Sequence, residues 1–341
     1  MLNFPFLSSK SFAIDLGNNN TLLTNDQGVL MSQPSYIAFD STTHQVKAVG
    51  DAAYSMYEKN HAELSPVKPL RGGVIADYES AATMISEMVQ RVYPKKWFGS
   101  FSHIISGVPY ATTEVERRAL RDVMDQFHAR KTNLFFEPLA AASGMGLDIR
   151  TPEGKMIVDI GGGITEIVVI SLSGIAVFHS TKVAGDSLTV EIQDAFRRNY
   201  NMAIGFRTAE QIKIQAGMVW ISKNEKPASM MVKGKDIMEG IPVTRTITSL
   251  EVMEIIDKPF RAIEEGIVHA LEVCPPELAG DIYENGIHVT GGGALLNGLR
   301  ERLEHSFHVP IHLDQEPLLA VSKGISQALR DPKKFRPVLI E

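Results

Sequence analysis

The sequence lacks several features that would place a protein outside the cytoplasm or across a membrane. It has a single cysteine, Cys274, so neither an internal disulfide nor a zinc site built from several cysteines can form. No run of apolar residues approaches the roughly 18 that a membrane-spanning helix requires. The first residues have no basic stretch and no small-residue cleavage site, unlike a secretory signal peptide. These absences predict a cytoplasmic protein whose fold depends on packing.

An excess of positive charge is absent as well. Lys and Arg number 34 against 40 Asp and Glu, and the net charge of −6 provides no field of the kind that drives binding to nucleic acids. We therefore expect no nucleic-acid partner. The 44% hydrophobic and 22% charged residues are typical of a globular protein, and 341 residues are enough for two domains.

Two common nucleotide-binding motifs are also missing. The pattern G-x-x-x-x-G-K-[ST] does not occur, and no G-x-G-x-x-G follows the first predicted strand. These absences argue against a P-loop NTPase and against a dinucleotide-dependent dehydrogenase. Any phosphate site in this chain must therefore use another fold.

The chain does contain an internal repeat. Residues 12–16 predict an apolar strand, followed by a tight polar turn and a return strand, and residues 156–170 repeat this pattern. Setting Asp15 on Asp159 places Gly17 on Gly161, with no gap. Each half of the chain is therefore predicted to begin with a β-hairpin whose turn carries an aspartate and glycines. We expect the two hairpins to face each other across a cleft.

Further strands and helices alternate along the chain. Residues 102–108 predict a buried strand, and residues 134–138 predict another, closed by Pro138, which introduces a helix. A further helix begins at residues 112–113 with a hydroxyl cap and early acidic residues. Residues 286–296 predict a strand, a triglycine turn and the start of a helix. This alternation predicts an α/β protein with a largely parallel sheet in each half.

Three turns contain glycines directly after predicted strands. They lie at Gly17, at residues 161–163 and at residues 291–293, and each could present backbone N–H groups to a phosphate. A single turn of this kind is weak support for a ligand. The matched aspartates Asp15 and Asp159 strengthen it, because carboxylates on two sides can hold a hydrated Mg²⁺.

Several segments together resemble the MreB family of bacterial actins, within the superfamily of ATPases that contains actin, the heat-shock chaperones and the sugar kinases. They are spread from residue 12 to beyond residue 320 and so cover nearly the whole chain. The resemblance implies an actin-like ATPase fold with two related α/β domains, each with a small subdomain, around a nucleotide cleft. The segments lie at residues 14–17, 73–77, 113–119, 137–142, 183–186, 207–213 and 290–296.

The resemblance also implies the domain boundaries. The first domain would span residues 1–142 with a small subdomain at approximately 33–75. The second would span residues 143–318 with a small subdomain at approximately 182–245. Residues 319–341 would return to the first domain.

For the site, the resemblance implies ATP or ADP as the nucleotide, with Mg²⁺ held mainly through water by Asp15 and Asp159. Glu137 matches the residue that orients the attacking water. Glu210 and Lys213 lie on one helical face and match a pair that contacts the nucleoside, although without the resemblance they would be read as an ordinary surface ion pair. The implied nucleotide-binding residues are Asp15, Gly17, Asn18, Asn19, Asn20, Asp159, Gly161, Gly162, Gly163, Ile164, Gly185, Asp186, Glu210, Lys213, Gly291, Gly292, Gly293 and Ala294.

Two of these positions depart from the family pattern, which usually has threonine where this sequence has Asn18 and Ile164. The isoleucine side chain can neither donate nor accept a hydrogen bond. We therefore expect ATP to bind but to be hydrolysed slowly or differently.

Two surfaces are implied by the same resemblance. Trp97 and Phe98, beside two lysines, match a loop that inserts into the inner membrane, with buried packing as the alternative. Val115 matches a contact between paired protofilaments, although a helical valine is more often part of a core. The N-terminal segment, with Leu2, Phe4, Phe6 and Leu7, is either a second anchor or a frayed tail.

The sequence thus predicts an ATP-binding, polymerising protein whose membrane-associated filaments direct cell-wall elongation and rod shape. Its expected partners are other copies of itself, the inner membrane surface and membrane proteins of cell elongation. Alternatives are a magnetosome or plasmid-segregation actin and a paralogue with slow or no ATPase activity. A small-molecule kinase is less favoured because no sugar-binding signature is present, and a chaperone would need a peptide-binding domain for which the chain has no room.

Overall fold

The computed structural model describes residues 10–59, 62–93, 101–222 and 226–341. The described residues form two compact units. The first unit contains the described residues between 10 and 57, between 62 and 148, and between 319 and 341. The second unit contains residues 58–59 and the described part of 149–318. No helix in the described part of the chain is long and apolar enough to cross a membrane.

In the described residues, the first unit opens with a run of short strands, and its first helix follows the fifth of them. Its elements, in chain order, are β1 (Ser11–Leu16), β2 (Asn20–Asn25), β3 (Gly28–Pro34), β4 (Ile37–Asp40), β5 (Val46–Val49), α1 (Asp51–Met56), β6 (Leu64–Val67), β7 (Leu70–Arg71), β8 (Val74–Ile75), α2 (Tyr78–Val92), β9 (His103–Val108), α3 (Glu114–Asp125), β10 (Thr132–Phe136) and α4 (Glu137–Gly144).

The second unit follows, and the chain then returns to the first. The second unit contains β11 (Lys155–Ile160), β12 (Thr165–Ser171), β13 (Gly174–Thr181), α5 (Gly185–Tyr200), β14 (Met202–Ala203), α6 (Phe206–Ala216), β15 (Ser229–Asp236), β16 (Pro242–Thr248), α7 (Ser249–Glu272), α8 (Pro276–Asn285), β17 (Ile287–Thr290), a 3₁₀ helix (Gly292–Leu295), α9 (Leu299–Phe307) and β18 (Ile311–Leu313). The returning segment contains α10 (Ala320–Arg330), α11 (Pro332–Phe335), a 3₁₀ helix (Arg336–Val338) and β19 (Leu339–Ile340).

Each unit is built on one mixed sheet. In the first unit the strand order is β19-β10-β9-β1-β2-β3, and in the second it is β13-β12-β11-β17-β18. Among the described strands, only the pairs β1–β9 and β9–β10 in the first sheet, and β11–β17 and β17–β18 in the second, are parallel. The prediction of largely parallel sheets is therefore wrong. The reason is that each half opens with three consecutive strands joined by short turns, which can only run antiparallel.

The internal repeat is confirmed by these sheets. The five strands β3-β2-β1-β9-β10 occupy the same order as β13-β12-β11-β17-β18. The first strands, β1 and β11, also share the same alternation of buried and partly exposed residues, with the aspartate partly exposed in both. Smaller sheets, β5-β4-β6 and β14-β15-β16, are added in the first and second unit respectively.

Local sequence signals explain where helices begin. α3 starts at the predicted place, because the Thr113 hydroxyl and the Glu116 carboxylate cap each other's backbone N–H groups. α4 starts at Glu137, with Pro138 in its first turn, so the strand predicted over residues 134–138 ends at Phe136 and not at the proline. After the triglycine turn, however, the chain forms a short 3₁₀ helix and not the start of a longer helix. The longer helix, α9, begins only after Gly298, which has a left-handed backbone with φ +74°.

Candidate functional site

The first glycine turn in the first unit is tightly built. Asp15 is the second-last residue of β1, and a Cβ atom on Gly17 would lie only 2.6 Å from Asn20 O. The Ser35 hydroxyl donates to Gly17 O at 2.7 Å, and the Ser35 N–H donates to Asn19 O at 2.9 Å. These contacts fix the turn and explain why glycine is required in it.

A lysine that the sequence patterns did not reveal lies beside this turn. Lys68 Nζ donates to Asn19 Oδ1 at 2.6 Å, and the side chain is half-buried. Lys68 follows β6, far along the chain from the glycine turn, so no motif connects the two. The contact brings a positive charge to the first glycine turn.

Glu137 lies at the same edge of the first sheet as Asp15. It is the residue directly after β10, and Asp15 lies near the end of β1, two strands that both run parallel to β9. The carboxyl ends of parallel strands are the usual position for ligands in α/β sheets. A Cβ atom on Gly107, in β9, would lie 3.3 Å from Glu137 Cγ and 3.1 Å from Ile325 Cδ1.

The second glycine turn repeats the first in the second unit. Gly161 donates its N–H to Ile164 O at 3.0 Å, and a Cβ atom on Gly161 would also lie 3.0 Å from that oxygen. The following residue, Thr165, is fully buried and donates its hydroxyl to Val183 O at 2.8 Å. Ile164 is partly exposed at the turn, where its side chain adds no polar group.

Asp159 is the aspartate of this second turn. Burial raises the pKa of its carboxyl group to about 6. A carboxylate whose charged form is disfavoured in this way is stabilised by a nearby cation, so its chemistry fits a Mg²⁺ site. Gly291 has φ +79° and packs so closely on Asp159 Oδ1 that any side chain at position 291 would overlap it. The third glycine turn therefore lies directly against the aspartate of the second.

The third turn is fixed by the strand before it. Thr290, the last residue of β17, is fully buried and donates its hydroxyl to Pro317 O at 3.2 Å. Gly293 leaves no room for a side chain because Ile160 packs against it. Gly292 is exposed and Ala294 is buried. The backbone at Gly292 is therefore accessible, whereas the end of the turn at Ala294 is packed against the interior.

Helices α5 and α6 complete the arrangement in the second unit. At the start of α5, Gly185 donates its N–H to Gly161 O at 3.0 Å, and Asp186 donates its N–H to Gly162 O at 2.8 Å. On α6, Lys213 Nζ lies 2.8 Å from Glu210 Oε2, and the two side chains are only 12% and 18% exposed. They are therefore a largely buried pair, unlike an ordinary surface ion pair.

Thr189 is a further residue that the sequence patterns did not reveal. It is fully buried on α5, and its hydroxyl donates to Glu210 Oε2 at 2.5 Å and accepts from Lys213 Nζ at 3.0 Å. Thr189 lies one helical turn after Gly185, on the same face of α5. That spacing is the only signal that could have found it. The second unit thus brings together its predicted site residues from four chain segments, at residues 159–164, 185–186, 210–213 and 291–294.

The residues expected to bind membrane, Trp97 and Phe98, lie outside the described residues, as does the N-terminal segment with Leu2, Phe4, Phe6 and Leu7. Two neighbouring aromatics, Tyr93 and Phe101, are described. Both rings pack against Phe12 in the first unit, with centroids 5.8 and 4.7 Å from it. Core packing therefore accounts for Tyr93 and Phe101.

Val115 lies in the first turn of α3 and is 79% exposed. The alternative that this valine belongs to the core is therefore wrong. The reason is that α3 directs other residues inward, namely Leu120, Val123 and Met124.

Two related α/β units with matching glycine turns define an actin-like protein, and solved structures agree. The crystal structure of MreB5 of Spiroplasma citri bound to AMPPNP has a TM-score of 0.91, 35% sequence identity, and coverage of 97% of this chain and 98% of that chain. The MamK double helical filament has a TM-score of 0.76 at 20% identity, covering 94% of this chain and 98% of that chain, and shows the fold alone.

Sequence comparisons give the family. A family model described as MreB/Mbl protein matches residues 9–337. The cell shape-determining protein MreB of Escherichia coli strain K12 is 36% identical over 331 residues, which are 96% of this chain and 95% of that protein. The cell shape-determining protein Mbl of Bacillus subtilis strain 168 is 35% identical over 328 residues, 96% of this chain and 98% of that protein. The chain belongs to the MreB/Mbl family, which confirms the predicted family and fold class.

Proposed function

We propose that this protein is a cell shape-determining, actin-like protein that binds ATP and polymerises into filaments. The observation that carries the proposal is the pair of repeated glycine turns in a chain that matches the MreB/Mbl family along nearly its whole length. The MreB and Mbl relatives are cell shape-determining proteins, and the similar MreB5 structures hold AMPPNP or ADP. We assign filament assembly, membrane attachment and cooperation with membrane proteins of cell elongation to the same function.

The nucleotide site in this proposal uses both glycine turns. Residues 15–20 and 159–164 bind the phosphates, and the turn at 291–294 packs against the adenosine. Mg²⁺, held mainly through water by Asp15 and Asp159, would neutralise charge on the phosphates. The raised pKa of Asp159 and the cation of Lys68 beside Asn19 support a site for an anion and a metal at these turns.

Hydrolysis in this proposal depends on Glu137, whose carboxylate would orient a water for in-line attack on the terminal phosphate. The side chain of Ile164 adds no hydrogen bond at the second turn, so we expect slow turnover. Ile164→Thr should increase the rate of phosphate release by the Mg-ATP-loaded protein. Equal rates for the two proteins would remove Ile164 as the cause of slow hydrolysis.

Pairing of protofilaments is assigned to the exposed start of α3. A charge at Val115, which is 79% exposed, should prevent two apolar surfaces from meeting without disturbing the core. Val115→Glu should therefore yield single protofilaments in electron micrographs. Leu172→Glu, at a residue that is 68% exposed in the turn between β12 and β13, is the matched control and should leave filaments paired.

Membrane attachment is assigned to Trp97 and Phe98. Aromatic rings beside lysines are typical of residues at the level of lipid headgroups. The double variant Trp97→Ser/Phe98→Ser should lose most of its co-sedimentation with anionic vesicles. Undiminished sedimentation would show that Trp97 and Phe98 are not the membrane anchor. The N-terminal segment would then be the next region to test.

The decisive experiment is negative-stain electron microscopy of the protein with ATP on a lipid monolayer. Straight paired filaments on the lipid support the proposed function. Double-helical filaments formed away from lipid would favour a magnetosome or plasmid-segregation type of actin. Monomers that consume ATP only when a sugar is added would favour a small-molecule kinase.

A further inference from the structure

Two histidines that the proposed nucleotide site does not use lie against each other in the second unit. His179 is on β13, an edge strand of the second sheet, and His269 is in the last turn of α7. Their ring centroids are 4.9 Å apart, and the ring planes form an angle of 66°. The two imidazole groups are therefore brought together from different elements by the fold.

A glycine on α7 makes room for the imidazole group of His179. Gly266 is buried and precedes His269 by three residues, so both lie on neighbouring parts of one helix face. A Cβ atom on Gly266 would lie 3.1 Å from His179 Cδ2 and 3.3 Å from His179 Nε2. The Nε2 edge of the His179 ring is therefore directed at α7, where strand and helix meet.

The surroundings of both histidines suit metal ligands. His269 Nδ1 lies 3.9 Å from Glu272 Oε2, and a carboxylate beside one ring nitrogen favours the N–H at that nitrogen and leaves the other for a metal ion. The side chain of His269 is 57% exposed, so an ion can reach it from solvent. Burial, together with His269, lowers the pKa of His179, so its imidazole group is neutral at about pH 7, in the form that binds metals.

The distance between the rings fits two ligands of one ion. With Zn–N distances of about 2.0–2.1 Å and roughly 1.1 Å more to each ring centre, two histidines on one tetrahedral zinc ion have ring centres about 5 Å apart. The observed 4.9 Å agrees with this value. Within the part of the chain that the structure describes, no group of three or more His, Cys, Asp and Glu residues could hold a metal ion. A site at this place therefore has two protein ligands.

A second pair of histidines in the same unit lacks this arrangement. The rings of His288 and His312 also have centroids 4.9 Å apart, but they are stacked, with 26° between their planes. Nitrogen lone pairs lie in the ring planes, so those of stacked rings run side by side and do not converge on one ion. His312 Nε2 also donates to Asn285 O at 3.0 Å. This pair therefore has the same ring distance in an unsuitable orientation.

We propose that His179 and His269 form a binding site for a divalent transition-metal cation of the zinc type, with water in the remaining coordination positions. Imidazole groups bind Zn²⁺, Ni²⁺ and Cu²⁺ well, whereas Mg²⁺ prefers oxygen ligands, so this site is separate from the proposed metal site of the nucleotide. The bound ion links the edge strand β13 to the end of α7. It stabilises the second unit because only the folded chain holds the two rings together.

The test is a calorimetric titration of the whole protein with ZnCl₂, in an excess of Mg²⁺ that occupies carboxylate sites. The wild-type protein should bind Zn²⁺ at one tight site. His179→Gln and His269→Gln should each weaken this binding by at least about tenfold. His312→Gln, in the stacked pair, is the matched control and should keep the affinity to within about twofold.

Urea unfolding provides a second measurement. Zn²⁺ should raise the unfolding midpoint of the wild-type protein and of His312→Gln but not that of His269→Gln, and EDTA should reverse the increase. His269 is exposed, so this variant decides the test even if the substitution of the partly buried His179 prevents folding.

Three results would overturn the inference. They are an absence of tight Zn²⁺ binding to the wild-type protein, unchanged affinity in both His179→Gln and His269→Gln, and an equal loss of affinity in His312→Gln. None of these measurements requires ATP, so the proposed function and the histidine site are tested independently.

Discussion

At the scale of single residues, the glycine at position 107 leaves the space in which the side chain of Glu137 packs. Gly107 lies in β9 beside Glu137, and a Cβ atom there would be 3.3 Å from Glu137 Cγ and 3.1 Å from Ile325 Cδ1. Interiors are packed too densely to absorb such a contact without movement. Nothing in the sequence marks Gly107, because it lies within a buried strand and outside every motif.

Gly107→Ala should therefore displace the Glu137 carboxylate by a few tenths of an ångström. We expect single-turnover phosphate release to slow by about tenfold, with the affinity for Mg-ATP unchanged, since positioning errors of this size act on the chemical step. Ile325→Val removes the nearer neighbour and should restore part of the rate. In a Glu137→Gln background Gly107→Ala should have no further effect, and a full additional loss there would refute the link to Glu137.

His288 provides a prediction about pH. Burial, together with His312 and Lys155, lowers the pKa of His288 to about 4. The unfolded chain, with an ordinary histidine pKa, takes up a proton first as the pH falls, so stability is lost between about pH 6.5 and about pH 4. Urea unfolding should show a loss of about 2 kcal/mol from this residue between about pH 7.5 and about pH 5. His288→Asn should lose that part of the dependence, and an unchanged slope would count against it.

At the scale of elements, α4 and α10 pack unusually closely within the first unit. A Cβ atom on Gly144 of α4 would overlap the Ala320 carbonyl group, and one on Gly324 of α10 would overlap the Ala140 carbonyl group. The contact therefore runs backbone against backbone. Both glycines are essential for steric reasons, although each costs helix propensity.

Gly324→Ala should lower the free energy of unfolding by at least about 3 kcal/mol, because backbone atoms cannot move aside for a methyl group. Gly280→Ala is the matched control, since it replaces a glycine in α8 with no atom within 4 Å of the new Cβ. The control should raise the free energy of unfolding by about 0.5–1 kcal/mol. Urea titrations of both variants measure the difference, and similar values would mean that the helices separate easily.

Sequence patterns predicted the elements that carry their own periodicity or caps. The two hairpins, the start of α3 at Thr113 and the part of the predicted strand up to Phe136 are confirmed. The prediction of largely parallel sheets was wrong because the alternation of strands and helices along the chain does not reveal which strands pair in the sheet. Lys68 and Thr189 were missed because each meets its partner through folding, with no shared motif. The roles assigned to Glu137, Glu210 and the glycine turns remain predictions.

At the scale of the whole molecule, the first unit is assembled from separated stretches of chain. α10 packs on α4 and on the strands of the first sheet, and β19 pairs with β10 as an edge strand. The Ser326 hydroxyl donates to Asn25 O at 2.5 Å, and the Arg330 guanidinium donates to Asp26 O at 2.6 Å. The returning segment therefore belongs structurally to the start of the chain.

A chain ending at Leu318 should lose stability only in the first unit. Without α10 and β19, the backbone of α4 and one edge of β10 are uncovered. Hydrogen exchange should accelerate by at least about tenfold in β9, β10 and α4, and should stay unchanged in β11, β12 and β17. Equal acceleration in both units would mean that they unfold as one.

The return of residues 319–341 also sets an order of events during synthesis. The second unit draws almost all of its residues from one continuous stretch, so it can fold as soon as that stretch has left the ribosome. The first unit cannot close then, because the helix that covers α4 has not yet been made. The apolar surface of the first unit's sheet therefore stays uncovered while some 170 residues of the second unit are translated and folded. During this interval the uncovered apolar surface is the part of the nascent chain most prone to aggregate.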